Sequence, residues 1–271
     1  MRKLKPGVTK KNGIIIEPYQ EAKMNKKTLT SRKLTTAAVL GAITIVLGIT
    51  PLGLIPLGII NATTMHIPVI IAAIVEGPVV GGLVGLIFGV FSLINAIIRP
   101  TPISFVFYNP LISVIPRILI GITSYYAYQS VKRFDDKNLK IASKILWSLL
   151  LIFLSYILYK NIKTGASKLN IILIIILILL CLGLFYYSIK TSTKDFPIAI
   201  GAFVGSMTNT ILVLGGIYLM YAQKYVEALN IPLENARSAI LGVSISSGLP
   251  EAFLSIIIVT GVIKSVLKVK R

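Results

Sequence analysis

Residues 34–75 read LTTAAVLGAITIVLGITPLGLIPLGIINATTMHIPVIIAAIV and contain no Lys, Arg, Asp or Glu. Prolines and glycines interrupt this run between Pro51 and Gly58. Because about 20 apolar residues, each rising about 1.5 Å, cross a bilayer, the run predicts two membrane spans joined by a turn. The same pattern recurs to the C-terminus, and 55% of the 271 residues are hydrophobic. The sequence therefore predicts an all-α integral membrane protein.

Eight apolar segments follow one another along the chain, and a bend is predicted in the last of them, between Ser247 and Pro250. The sixth is almost purely aliphatic and the fifth is short, with Lys144 near its start. The first, third and seventh are rich in small residues, which membrane helices use to pack closely. We therefore expect six core helices and a lipid-facing transmembrane hairpin, unless the fifth segment lies at the membrane interface instead. The segments span approximately residues 34–50, 57–75, 79–98, 110–130, 141–159, 169–189, 196–222 and 239–263.

The net charge of +19 comes from basic residues that flank the apolar segments. Ten of the 28 Lys and Arg precede residue 34, and others follow the fourth, sixth and eighth segments. Basic flanks mark the cytoplasmic side of a membrane, so both termini are predicted to be cytoplasmic. Lys160, Lys163 and Lys168 depart from this rule, because they fall on the outer side. Nucleic-acid binding is not expected, since it needs a basic face on a soluble fold.

The predicted organisation is a basic cytoplasmic extension, residues 1–33, followed by a single membrane domain, residues 34–271. Residues 137–190 form an inserted loop and helical hairpin within that domain. Met24 lies shortly before the first apolar segment, so residues 1–23 are either a disordered extension or lie upstream of the translation start.

Enzymatic chemistry and resident cofactors are not expected in this chain. It has one Cys and one His, which argues against a disulfide framework and against most zinc sites. It also has no G-x-x-x-x-G-K-[S/T] phosphate loop, so it does not hydrolyse ATP by that route.

Two groups of small residues have helical spacing. Gly77, Gly81, Gly85 and Gly89 recur every four residues in the third segment and predict either an internal packing seam or a surface that docks and slides. Ala38-x-x-x-Ala42 lies in the turns of the first span that follow the basic extension, where a cytoplasmic partner can reach it.

Few ionisable or amide side chains lie at membrane depth, and each is a candidate functional residue because such groups are expensive in a bilayer. Arg117 and Glu251 are interpreted either as a buried ion pair or as residues that line a polar pocket. His66 is interpreted as a hydrogen-bonded packing residue in preference to a proton carrier. Asn209 suits either helix packing or a ligand amide. The full set is Asn61, His66, Asn95, Asn109, Arg117, Asn209 and Glu251.

These features together resemble the substrate-binding S component of energy-coupling factor (ECF) vitamin transporters. The resemblance covers residues 34–131 and 196–268. It is carried by Ala38-x-x-x-Ala42, the Pro/Gly loop at 51–58, Met65 to Pro78, the glycine-striped third segment, Asn109 to Arg117, Gly205 to Tyr218, and Ser247 to Glu251.

The resemblance implies six helices with a vitamin pocket near the outer face, built by the loop after the first helix and by the last three helices. It also implies docking on a transmembrane coupling subunit through small residues of the first helix, here Ala38 and Ala42. Two cytoplasmic ATPases would then supply the energy. The inserted hairpin at 137–190 departs from the six-helix pattern.

Within the family, the chain looks closest to the branch that contains pantothenate carriers, while folate, cobalamin and other vitamins stay open. Pantothenate carries a carboxylate, two hydroxyls and an amide. Arg117 or Arg99 would neutralise the carboxylate, and Asn109, Asn209 and Glu251 would bind the polar groups.

Three other functions remain as alternatives. A stand-alone secondary transporter of a small organic solute would need a titratable relay and usually an internal repeat. No repeat is visible, and Glu251 is the one acid left within the membrane segments. The second is an intramembrane enzyme, which needs a nucleophile with a base or a metal cluster, and a single His offers little for either. The third is a purely structural partner subunit.

Overall fold

The computed structural model describes residues 9–11, 14–16, 31–56, 61–165, 168–191, 195–230, 232–243 and 247–269. It has two units, Met1–Thr35 and Thr36–Arg271. In the first unit, strands β1 (Thr9–Lys11) and β2 (Ile14–Ile16) pair antiparallel, with Thr9 opposite Ile16.

Helices build almost all of the second unit, which confirms the predicted all-helical membrane architecture. Five of the described helical stretches are long and apolar enough to cross a membrane. They are Ser31–Ile49, Pro78–Ile98, Pro110–Val131, Asp136–Lys163 and Asp195–Ala228. In chain order the helices are α1 (Ser31–Ile49), α2 (Ile67–Glu76), α3 (Pro78–Ile98), α4 (Pro110–Ser113), α5 (Ile115–Val131), α6 (Asp136–Lys163), α7 (Lys168–Thr191), α8 (Asp195–Ala228), α9 (Ala236–Val243) and α10 (Leu249–Val269).

Within the described residues of the second apolar segment, a strand precedes the helix. Strands β3 (Leu54–Pro56) and β4 (Asn61–Thr63) pair antiparallel, and α2 starts at Ile67. Pro68 in the first turn suits a helix start, because that position needs no backbone N–H donor. The Thr64 N–H donates to the Gly53 carbonyl at 3.0 Å, which closes the loop after α1.

The short helix α2 lies at the centre of the bundle. Every residue from Ile67 to Ile74 is buried, so the helix has no solvent- or lipid-facing side over that length. Helices α3, α5, α8 and α10 pack around it. It ends at Gly77, whose φ of 107° favours glycine and lets the chain reverse directly into α3.

The glycine series of α3 forms an internal packing seam, the first of its two predicted interpretations. A Cβ on Gly81 would lie 2.5 Å from the Cβ of Ala73, and a Cβ on Gly85 would lie 2.1 Å from the carbonyl oxygen of Arg117. Gly89 packs in the same way against Val114. Backbones of α3 and α5 therefore meet directly, as small residues allow in membrane helices.

The hairpin of α6 and α7 packs one face against the bundle and leaves the other exposed. Trp147, Leu150 and Leu154 of α6 and Cys181 of α7 are buried in the main hydrophobic core. The rings of Phe153 and Phe253 meet edge to face, with centroids 4.6 Å apart, and join α6 to α10. Large aliphatic side chains cover the remaining surface, as expected for a lipid-facing position.

Candidate functional site

Helix contacts bring several buried polar residues to one level of the bundle. Ile70 packs at Gly205 and Ile74 at Gly201, so α2 and α8 run antiparallel. One turn further along, His66 is level with Asn209. We call the residues at and around this level the polar layer. Its members are His66, Arg117, Asn209, Glu251 and Ser255.

Arg117 is a buried cation held by a carbonyl and two aromatic rings. Its side chain lies in the first turn of α5, it is 6% exposed, and its Nη1 donates to the Ile112 carbonyl. The guanidinium carbon lies 5.3 Å from the ring centre of Phe88 and 5.5 Å from that of Phe107. Among the described residues, no carboxylate lies within ion-pair distance of Arg117, and its Nε has no hydrogen-bond partner.

Glu251 is a buried acid that binds backbone. It is 8% exposed in the first turn of α10, and its Oε1 accepts a 3.1 Å hydrogen bond from the Thr63 N–H. The pair that the sequence suggested between Arg117 and Glu251 is not formed. The reason is geometric, because α5 holds Arg117 against α4 while α10 holds Glu251 against β4.

Three further polar atoms of this region are buried without a hydrogen-bond partner in the described part of the chain. These atoms are Nδ1 of His66, Oγ of Ser206 and Oδ1 of Asn209. Buried polar groups normally have a partner, so a ligand or water is expected to contact them.

Asn109 lies next to the layer but not in it. Its Oδ1 accepts from the Leu111 N–H at 3.0 Å and so caps α4. Its Nδ2 donates to the Tyr221 hydroxyl at 3.4 Å, at the point where α8 kinks. The residue is half-buried and accessible to a ligand at the edge of the layer.

Arg99 lies apart from these residues. It follows the end of α3, where its N–H donates to the Asn95 carbonyl at 2.9 Å, and its side chain is exposed. The structure therefore brings together Arg117, Asn209 and Glu251 of the predicted binding residues, with Asn109 nearby.

The two predicted coupling alanines share an outward face of α1. Ala38 and Ala42 are exposed, whereas Ala37 and Gly41 are buried. A Cβ on Gly41 would lie 2.6 Å from the Cδ1 of Ile87, which shows that this second face packs on α3. Helix α1 thus carries small residues on both faces.

Ser255 is a member of the layer that the sequence did not single out. Its Oγ lies 2.6 Å from Nε2 of His66, and both side chains are buried. The available signal was its spacing of four residues from Glu251, which places both on one face of α10. Within the described residues, no three His, Cys, Asp or Glu side chains lie together so as to hold a metal ion.

Comparison with known proteins adds two findings. Residues 32–167, half of the chain, match the family model described as ECF transporter, substrate-specific component. The chain is also similar to the pantothenic acid transporter PanT of Lactococcus lactis subsp. cremoris (strain MG1363). The two are 25% identical over 226 residues, which cover 78% of this chain and 80% of the relative.

Proposed function

Because the chain belongs to the substrate-specific components of ECF transporters, we propose that it captures pantothenate and delivers it to an ATP-driven import complex. The family is one of transport components, which confirms the prediction that the chain is not an enzyme. The name of the relative from Lactococcus lactis supports pantothenate as the substrate.

The observation that carries this proposal is the buried guanidinium of Arg117, which has no carboxylate within ion-pair distance among the described residues. An uncompensated buried charge typically costs about 3–5 kcal/mol, so the fold gains when an anion reaches it. Arginine also binds carboxylates through two parallel N–H donors, a geometry that Lys does not offer. The carboxylate of pantothenate is the group that would bind there.

The other polar groups of pantothenate match the rest of the layer. Glu251 still has acceptor capacity beyond its bond to the Thr63 N–H, and it would accept from a hydroxyl. The unpartnered Oδ1 of Asn209 would accept from the amide N–H or from the second hydroxyl. Asn109 lies at the edge of the polar layer, where it would contact one of the remaining polar groups of the ligand.

Energy would come from other subunits. In the proposed complex, the exposed face of Ala38 and Ala42 contacts a transmembrane coupling subunit, and two ATPases act on the cytoplasmic side. Small side chains on an exposed membrane helix allow a partner helix to approach its backbone closely. This supports a docking role for that face.

The proposed topology has a six-helix core with the α6–α7 hairpin added, giving eight apolar segments in a bacterial plasma membrane. Both termini are cytoplasmic, which places the loop containing β3 and β4 outside. The polar layer then lies in the outer half of the membrane, on the side from which a vitamin arrives.

Binding measurements with two ligands test the role of Arg117. Calorimetry would compare pantothenate with pantothenol, which has an alcohol in place of the carboxylate. Wild type should prefer pantothenate by about 2–5 kcal/mol, the range for removing one partner of a buried charged pair. Arg117→Met should bind both ligands equally and weakly, whereas Arg117→Lys should recover part of the preference.

Two arginine controls make the result specific. Arg133→Met removes an exposed charge from the loop after α5 and should leave the preference intact. Arg99→Met tests the second predicted arginine and should also leave it intact. A preference that survives in folded Arg117→Met but disappears in Arg99→Met would assign the carboxylate to Arg99 and refute the proposed site.

A further inference from the structure

A groove of about 600 Å³ separates α7 from α10. Its lining is almost entirely carbon, and the one hydroxyl in it, on Ser265, donates to the Gly261 carbonyl of its own helix at 3.0 Å. The groove is therefore an apolar surface without free polar groups of its own. Its lining residues are Leu180, Gly183, Leu184, Ile258, Gly261, Val262 and Ser265.

The glycines of the groove differ from those of the packing seam. A Cβ on Gly183 or Gly261 would meet no atom within 4 Å, whereas a Cβ on Gly85 would collide with backbone. Small residues in membrane helices usually let a second helix approach. No other helix of the described chain approaches Gly183 or Gly261 in this way. One of these glycines lies on each wall of the groove.

Two basic positions follow the groove at the same end. Lys190 is seven residues after Gly183, and Lys268 is seven residues after Gly261. Seven residues are two helical turns, so each lysine position is on the face of its glycine and about 10 Å further along its helix. Lys264 is not counted with them, because its Nζ lies 2.5 Å from Oδ2 of the buried Asp195.

We propose that the groove binds one acyl chain of an anionic phospholipid, with the phosphate between the positions of Lys190 and Lys268. An acyl chain matches the carbon lining and the open side of the groove. A negative headgroup matches basic residues at the membrane surface. In the proposed topology, this lipid belongs to the cytoplasmic leaflet and joins the hairpin to α10.

Native mass spectrometry of the full chain tests the proposal. The protein would be extracted in mild detergent from liposomes of equal phosphatidylglycerol and phosphatidylcholine. Wild type should retain one phosphatidylglycerol in preference to phosphatidylcholine. Gly183→Leu combined with Gly261→Leu should lose this lipid, because two side chains fill the groove.

Gly215→Leu is the matched control for groove filling. A Cβ on Gly215 also meets no atom within 4 Å, but the residue lies on α8 outside the groove. It should retain the lipid. Val262→Trp provides a second filling variant at an exposed position in case the double change does not fold.

The charge arm uses Lys190→Gln with Lys268→Gln. This variant should lose the preference for phosphatidylglycerol over phosphatidylcholine, whereas Lys160→Gln with Lys163→Gln, at the other end of the hairpin, should keep it. The proposal is overturned if wild type shows no lipid preference or if a folded filling variant retains the lipid. It is also overturned if filling displaces a coupling subunit and leaves lipid binding unchanged, since the groove would then dock protein.

Discussion

Nε2 of His66 lies 2.6 Å from Oγ of Ser255, so a hydrogen bond joins the start of α2 to α10 within the polar layer. The other ring nitrogen of His66 has no partner among the described residues. This bond therefore orients the imidazole in a site where Arg117 and Glu251 are both buried and unpaired with each other. It also agrees with the interpretation of His66 as a hydrogen-bonded packing residue.

Ser255→Ala should reduce the free energy of unfolding by about 1–3 kcal/mol, because it leaves a buried ring without its partner. Combining it with His66→Leu should recover part of the loss, since apolar groups then replace both members of the pair. Thermal unfolding in detergent measures the change. Ser238→Ala, at an exposed serine, should stay within about 0.5 kcal/mol of wild type. An equal loss in both serine variants would contradict a specific role for the bond.

Gly85→Ala should destabilise the protein by about 1–3 kcal/mol and weaken vitamin binding. Its Cβ would lie 2.1 Å from the Arg117 carbonyl oxygen, so the turn that carries the guanidinium must shift. Gly82→Ala on the same helix is the control, because its nearest contact would be a side-chain atom of Ile118 at 3.8 Å. Thermal unfolding and calorimetry on both variants check the prediction. Equal stability and equal vitamin affinity in Gly85→Ala and Gly82→Ala would show that the contact between α3 and α5 has room for a Cβ at Gly85.

Ala38→Leu or Ala42→Leu should abolish ATP-dependent uptake and leave vitamin affinity near that of wild type. Both alanines are exposed, so larger side chains would separate a partner helix without disturbing the bundle. Uptake by reconstituted complexes and calorimetry on the isolated chain give the two readouts. Val39→Leu, also exposed on α1, should keep uptake. If affinity falls as much as uptake does, the alanines pack internally instead.

The isolated chain should bind pantothenate but should not accumulate it. Liposomes that contain only this protein, with an imposed proton or sodium gradient, would be compared with liposomes that also contain a coupling subunit and ATPases. Accumulation should require the additional subunits and ATP. Gradient-driven accumulation by the chain alone would support the alternative of a secondary transporter.

Hydropathy and small-residue spacing predicted much of the fold. Continuous apolar runs mark membrane helices because the backbone must satisfy its own hydrogen bonds in lipid. The four-residue spacing from Gly77 to Gly89 indicated a close helix contact, and the structure places α2 and α5 against it.

The start of α2 could not be read from hydropathy. Residues 54–66 are rich in apolar side chains, and hydropathy does not distinguish a helix from a short β pair in such a run. In the structure Leu54 pairs with Thr63, and α2 therefore begins after this β pair, at Ile67. The separation of Arg117 from Glu251 likewise depends on how α5 and α10 are rotated, which the spacing of residues within either helix does not determine.

The length of α2 has a consequence for permeation. Ten residues extend about 15 Å, half of a hydrocarbon core of about 30 Å. Between His66 and Glu76 the helix carries no polar side chain. On the cytoplasmic side of the polar layer, α2 therefore offers no group that could bind an ion or a vitamin. A cell that makes this chain without its partners should therefore keep its membrane potential. The short helix both closes the polar layer on its cytoplasmic side and prevents ions from leaking through the bundle.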